Sequence, residues 1–142
     1  MAETLMGWLV PDHVIYAQDR TLTLQEMYAA VNRSVSMMEQ SSADKVHHII
    51  DQRHHPSAAE DIDINVANQE LSRFLTHPKT GWVLTCYGDN MYMQYVNWVL
   101  AHENQARSKH FNSAQEAVEF LMSVDAALTE RPDVEAFLKD FG

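Results

Sequence analysis

Five side chains able to bind a metal or move a proton fall within nine positions of this sequence: His47, His48, Asp51, His54 and His55. Imidazole and carboxylate are the ligands a divalent transition metal takes, and imidazole also transfers protons near neutral pH. The residues around them limit what they can do together. Val46-His47-His48-Ile49-Ile50-Asp51 reads as a β-strand, and alternation sends His47 and Asp51 to one face and His48 to the other. The five therefore cannot converge on one ion while that strand is regular. Asp51, His54 and His55, at the strand end, remain as a candidate constellation, but no recognised zinc-site spacing accompanies them. We expect no metal and no cofactor, and a metal-assisted hydrolase is the third-ranked reading.

Cys86 is the only cysteine. To act as a nucleophile it would need a base, for which His110 or His54 is available, and an oxyanion site. Its setting, Trp82-Val83-Leu84-Thr85-Cys86, is that of a small core residue in an apolar strand, so no catalytic residue is assigned. The glycines are Gly7, Gly81, Gly88 and Gly142, and no phosphate-cradling loop can be built from them. Tyr87-Gly88-Asp89-Asn90, followed by Tyr92 and Tyr95, lies between a strand end and a helix start. Open α/β sheets commonly bind ligands there. Tyr87, Gly88, Asp89, Asn90, Tyr92 and Tyr95, with Asp51, His54 and His55, are therefore the candidate partner- or ligand-binding residues.

The elements that position these residues are legible in the apolar periodicity. Leu5 to Val10 and His13 to Ala17 read as two strands joined by a Pro11-Asp12 turn. Thr23-Leu24-Gln25-Glu26 is a capping box opening a helix that runs to about Gln40. The strand ending at Asp51 follows, then a helix over Val66 to Leu75, stopped by His77-Pro78-Lys79-Thr80-Gly81. A buried strand from Trp82 to Cys86 leads into a helix whose inward stripe is Tyr92, Tyr95, Val96, Val99 and Leu100. Lys109-His110-Phe111 is a short last strand, and Ser113-Ala114-Gln115-Glu116 caps the helix after it. Ser57-Ala58-Ala59-Glu60 is a third capping-box pattern and opens a short helix. The order is β-β-α-β-α-β-α-β-α, which predicts a mostly parallel sheet flanked by helices.

Beyond Leu128, Pro132 suits a first helical position. Val134, Phe137, Leu138 and Phe141 then give the tail an apolar stripe. That stripe can fold back on the domain or dimerise with a second subunit. Residues 1–126 are thus read as one domain and 127–142 as an amphipathic helical tail. A chain of 142 residues suits one domain. Twenty acidic against ten basic side chains give a net charge of −10, which repels nucleic acid. A single cysteine and no signal-peptide pattern point to the cytoplasm, and no apolar run reaches the roughly 20 residues of a membrane span.

Four phrases carry a family resemblance: Gly7-Trp8-Leu9-Val10-Pro11-Asp12-His13-Val14-Ile15, the strand His47 to Asp51, His77-Pro78-Lys79-Thr80-Gly81-Trp82-Val83, and Phe111-Asn112-Ser113-Ala114-Gln115-Glu116-Ala117-Val118-Glu119-Phe120-Leu121. In order and wording they resemble bacterial STAS (SpoIIAA-like) domains over about residues 5 to 124. The resemblance implies an α/β fold: one mixed, mostly parallel sheet of about five strands with an N-terminal hairpin, about four helices, and the tail. It also implies a non-enzymatic regulatory or scaffold role through protein contacts, the protein partner being unknown and a homodimer one form of it. Antagonists of anti-sigma factors in that family carry a phosphorylatable hydroxyl in an Asp-Ser-Ser-Gly-like turn after the strand ending in Asp. The matching stretch here, Asp51-Gln52-Arg53-His54-His55-Pro56-Ser57, lacks the glycine and the paired hydroxyls. Ser57 is the nearest switch phosphosite, and as the first residue of Ser-x-x-Glu it equally serves as a helix cap. The alternative function is a carrier or sensor of a small apolar ligand or lipid.

Overall fold

The computed structural model describes residues 5–19, 23–53, 64–86 and 91–141. Strands β1 (Leu5–Val10) and β2 (Val14–Gln18) pair antiparallel as a hairpin. Its turn closes with the His13 amide donating to the Val10 carbonyl at 3.0 Å. Asp12 there has φ 67°, a left-handed conformation that Asp tolerates better than most residues. Ser41 Oγ donates to the Asp12 carbonyl at 2.7 Å, which ties the turn to the end of the first helix.

That helix is α1 (Leu24–Gln40), and its first turn is closed by the Thr23 cap: the Glu26 amide donates to Thr23 Oγ1 at 3.1 Å, and the Thr23 hydroxyl donates to Glu26 Oε1 at 3.2 Å. There follow β3 (Val46–Asp51), α2 (Ile64–Leu75), β4 (Thr80–Cys86), α3 (Met91–Glu103), β5 (Ser108–Phe111), α4 (Ala114–Val124) and α5 (Val134–Phe141). The five strands lie in sequence order, with β2 to β5 mutually parallel. The mixed, mostly parallel sheet with an N-terminal hairpin is thus the architecture expected from the alternating pattern. Ser57 and its capping box lie outside the described residues.

Alternation along each strand supplies one core on each face of the sheet. Ile15, Ala17, Val46 and Val83 pack with Val31 and Met38 of α1 and Phe74 of α2. On the other face Val14, Tyr16, Ile49, Leu84 and Cys86 pack with Ala114, Ala117, Val118 and Leu121 of α4 and Val134 of α5. Each fully buried large apolar side chain contributes about 1.5–3 kcal/mol, so neither layer is dispensable.

The tail folds back. Asp133 Oδ1 accepts the Ala136 amide at 3.0 Å, so Asp133 caps α5 and Pro132 lies one residue before the cap rather than in the first turn. Val134 is buried, and Phe137 and Leu138 pack against the core. The Phe137 ring meets Tyr16 edge-on, with centroids 5.6 Å apart. These three side chains, read from the sequence as candidates for dimerisation, are therefore used within the chain; the side chain of Phe141 lies outside the described structure. Among the described residues no helix is long and apolar enough to cross a membrane.

Candidate functional site

The carboxyl ends of the parallel strands put Gln18, Asp51, Cys86 and Phe111 in one row across the sheet. Asp51 is its centre, 2% exposed. A carboxylate this deep must have its charge compensated, and every acceptor direction is filled. Oδ1 takes the Arg53 amide at 3.1 Å and Arg53 Nε at 2.9 Å. Oδ2 takes Arg53 Nη2 at 2.8 Å and the Tyr16 hydroxyl at 2.6 Å. Burial by itself would raise the Asp51 pKa, but the donors from Arg53 and Tyr16 outweigh it and hold the carboxyl below its ordinary value. Tyr16 moves the other way: burial, then the bond to Asp51, push its hydroxyl well above the usual tyrosine range. The cluster is therefore locked as carboxylate, guanidinium and neutral phenol.

Cys86 lies beside it, fully buried, and burial pushes its thiol up to about 12. The thiolate, the reactive form, is suppressed there. His110, proposed as its base, is paired with Thr85, one register step away, and its Nδ1 lies 3.1 Å from the Thr85 carbonyl. Alternation points His110 to the sheet face opposite Cys86, so the structure does not bring the two together.

At the amino-terminal edge of the strands, His47 is held at both ring nitrogens. The Trp82 amide donates to Nδ1 at 3.0 Å, which requires Nε2 to carry the proton, and Nε2 donates to Asp125 Oδ2 at 2.7 Å. Burial would raise the Asp125 pKa, but the His47 bond and the Ala127 amide lower it below the usual carboxylate value. The bulge that admits the ring depends on Gly81: a β-carbon there would lie 2.5 Å from His47 Nδ1. His48 faces the other layer, as alternation requires. Its Nε2 lies 3.3 Å from Met38 Sδ, its ring packs edge-on to Phe74, and burial pushes its pKa down to about 3. Above the His47 bulge lies a cleft of about 680 Å³ lined by His13, Lys45, Trp82, Arg107 and Asp125 among others. This mixture of charges does not suit an apolar ligand.

Of the candidate residues read from the sequence, Asp51 is where expected, at the strand end, but both its oxygens are occupied. His54, His55, Ser57, Tyr87, Gly88, Asp89, Asn90 and the side chain of Tyr92 lie outside the described structure. Among the described residues no group of three His, Cys, Asp or Glu side chains is placed to hold a metal. Tyr95, placed by periodicity on the inward stripe of α3, instead faces solvent at 61% exposure, whereas Leu100 is buried. Trp98, not singled out in the sequence, is 65% exposed one turn along the same face, and its ring stacks on His102 at 5.2 Å with planes 6° apart. Arg53 and Asp125 also escaped the sequence reading, because their partners are set by packing. No family model, curated protein or solved structure matches this chain.

Proposed function

We propose that this chain is a non-enzymatic regulatory or scaffold module of STAS-like type that works through protein contacts, made at the outer face of α3 with a second copy of itself. The observation that carries this reading is the exposure of Tyr95 and Trp98, at 61% and 65%, on neighbouring turns of one helix. Large aromatics are among the side chains most often found to dominate protein interfaces, and adjoining exposed apolar side chains mark contact sites. Charge favours a second copy as the occupant. Each copy carries −10, yet α3 contains no Lys, Arg or Asp, and its one Glu, Glu103, lies at its end. Two copies meeting along α3 bring no Asp, Lys or Arg of that helix into the contact, which limits the repulsion between two chains of like charge.

The rest of the described chemistry supports the non-enzymatic part of the reading. Asp51, His47 and Cys86, the residues best suited to catalysis, are respectively saturated, held at both nitrogens and protonated. A buried cysteine and an acidic surface suit a module of the reducing cytoplasm.

Sedimentation equilibrium across a hundredfold concentration range tests the proposal. The expected result is a monomer–dimer equilibrium in the wild type that Trp98→Ala weakens roughly tenfold or more, the loss typical of an aromatic anchor. A wild type that remains monomeric at the highest concentration, or a Trp98→Ala variant with unchanged dimerisation, overturns it.

A further inference from the structure

A guanidinium has two edges that can each grip an oxyanion through parallel N–H bonds: Nε with Nη2, and Nη1 with the second proton of Nη2. In Arg53 the first edge is engaged by Asp51, at 2.9 and 2.8 Å. The second edge has no partner among the described residues. The two partners differ sharply in access: the Asp51 side chain is 1% exposed and that of Arg53 32%. Asp51 lies beneath as an anchor, and part of the guanidinium remains open to solvent.

The mounting is rigid. Asp51 receives the backbone amide of Arg53 as well as its side chain, which fixes both ends of the arginine. The residue between them is fixed too: the Gln52 amide donates to the Cys86 carbonyl at 2.6 Å, and Gln52 Oε1 accepts Asn97 Nδ2 at 2.7 Å. An arginine held in this way has little rotamer freedom left to lose when it binds a ligand. It also stands just past the carboxyl end of β3, between the ends of β2 and β4.

We propose that Arg53 forms a bidentate anion site at these strand ends, taking one carboxylate or phosphate group on the guanidinium edge that Asp51 leaves unused. The site does not depend on the α3 contact. In a chain of charge −10 it is selective for a group that fits the fork rather than for polyanions in general. A single bidentate contact gives weak binding, on the order of 1 mM.

Titration of the wild-type protein with sodium phosphate, and separately with sodium acetate, at ionic strength held constant with chloride, tests the site by heteronuclear NMR. The expected result, with either anion, is a saturable shift centred on the Arg53 amide and its Nε–H signal. Saturation by phosphate alone or acetate alone identifies which oxyanion the fork takes. Arg53→Lys keeps a cation beside Asp51 but has no second edge, so affinity falls roughly tenfold or more. Shifts that stay linear with both anions, or wild-type affinity in a folded Arg53→Lys variant, overturn the proposal. The wild-type titration decides the matter alone if that variant does not fold. Trp98→Ala leaves the titration unchanged, so failure here and failure of the α3 contact are read separately.

Discussion

Nε2 of His47 donates to Oδ2 of Asp125 at 2.7 Å, joining the middle of the sheet to the end of α4 across 78 residues of sequence. An imidazole bonded to a carboxylate suggests a catalytic dyad. Here the other nitrogen accepts the Trp82 amide N–H and faces no open site. The pair acts as a clasp.

Removing the carboxylate leaves the Nε2 proton of a 5%-exposed histidine without an acceptor. Asp125→Ala is expected to lower unfolding stability by about 1–3 kcal/mol, whereas Asp125→Asn, which keeps an acceptor oxygen, recovers most of it. Urea denaturation of the three proteins measures both. Equal losses in Ala and Asn variants would show that the charge, and not the bond, matters.

Acid acts in two windows. His48 has an ordinary value of 6.5 when unfolded and about 3 when folded. As pH falls from 6.5 the unfolded chain takes up a proton that the folded one refuses, and stability declines down to about pH 3. Asp51 and Asp125 have depressed folded values. The stability they provide is complete above about pH 4, the unfolded carboxylate range, and is lost as pH falls through their lower folded values. His48→Leu should flatten the urea midpoint between pH 6.5 and 4.5 while retaining the steeper loss below. A midpoint that falls as steeply in the variant as in the wild type across the upper window rules out His48 as its source.

Cys86 is fully buried and its thiol is held in the unreactive form. Ellman's reagent at pH 8 is expected to label it at the rate of unfolding rather than of thiol chemistry, at least a hundredfold slower than in urea. Labelling of the native protein within minutes would show that the strand end is open and would return Cys86 to consideration as a reactive group.

Much of the fold was legible because it is written locally. Strand β1 falls on the predicted residues, and the caps at Thr23 and Ser113 each accept the amide three residues on. Alternation placed His47 and Asp51 on one face and His48 on the other. The outward turn of Tyr95 was not legible, because apolar side chains are spread around α3, with Gln94 and Asn97 among them, and mark no single face strongly. The site was hidden for a different reason. Tyr16 and Asp51 are 35 residues apart, and nothing in either segment names the other. Arg53 looked like an ordinary loop residue until the strand end it follows was seen to bury an acid.

The order in which the layers close has a consequence for synthesis. Strands lie side by side in the order in which they are made, and α1 and α2, which cover one face, end at residue 75. The opposite face, with Tyr16, Ile49, Leu84 and Cys86, waits for α4 and α5, which begin only at Ala114 and Val134. A nascent chain that has completed its last strand is thus covered on one side and greasy on the other. Until α4 and α5 have been translated, that greasy side stays open to aggregation.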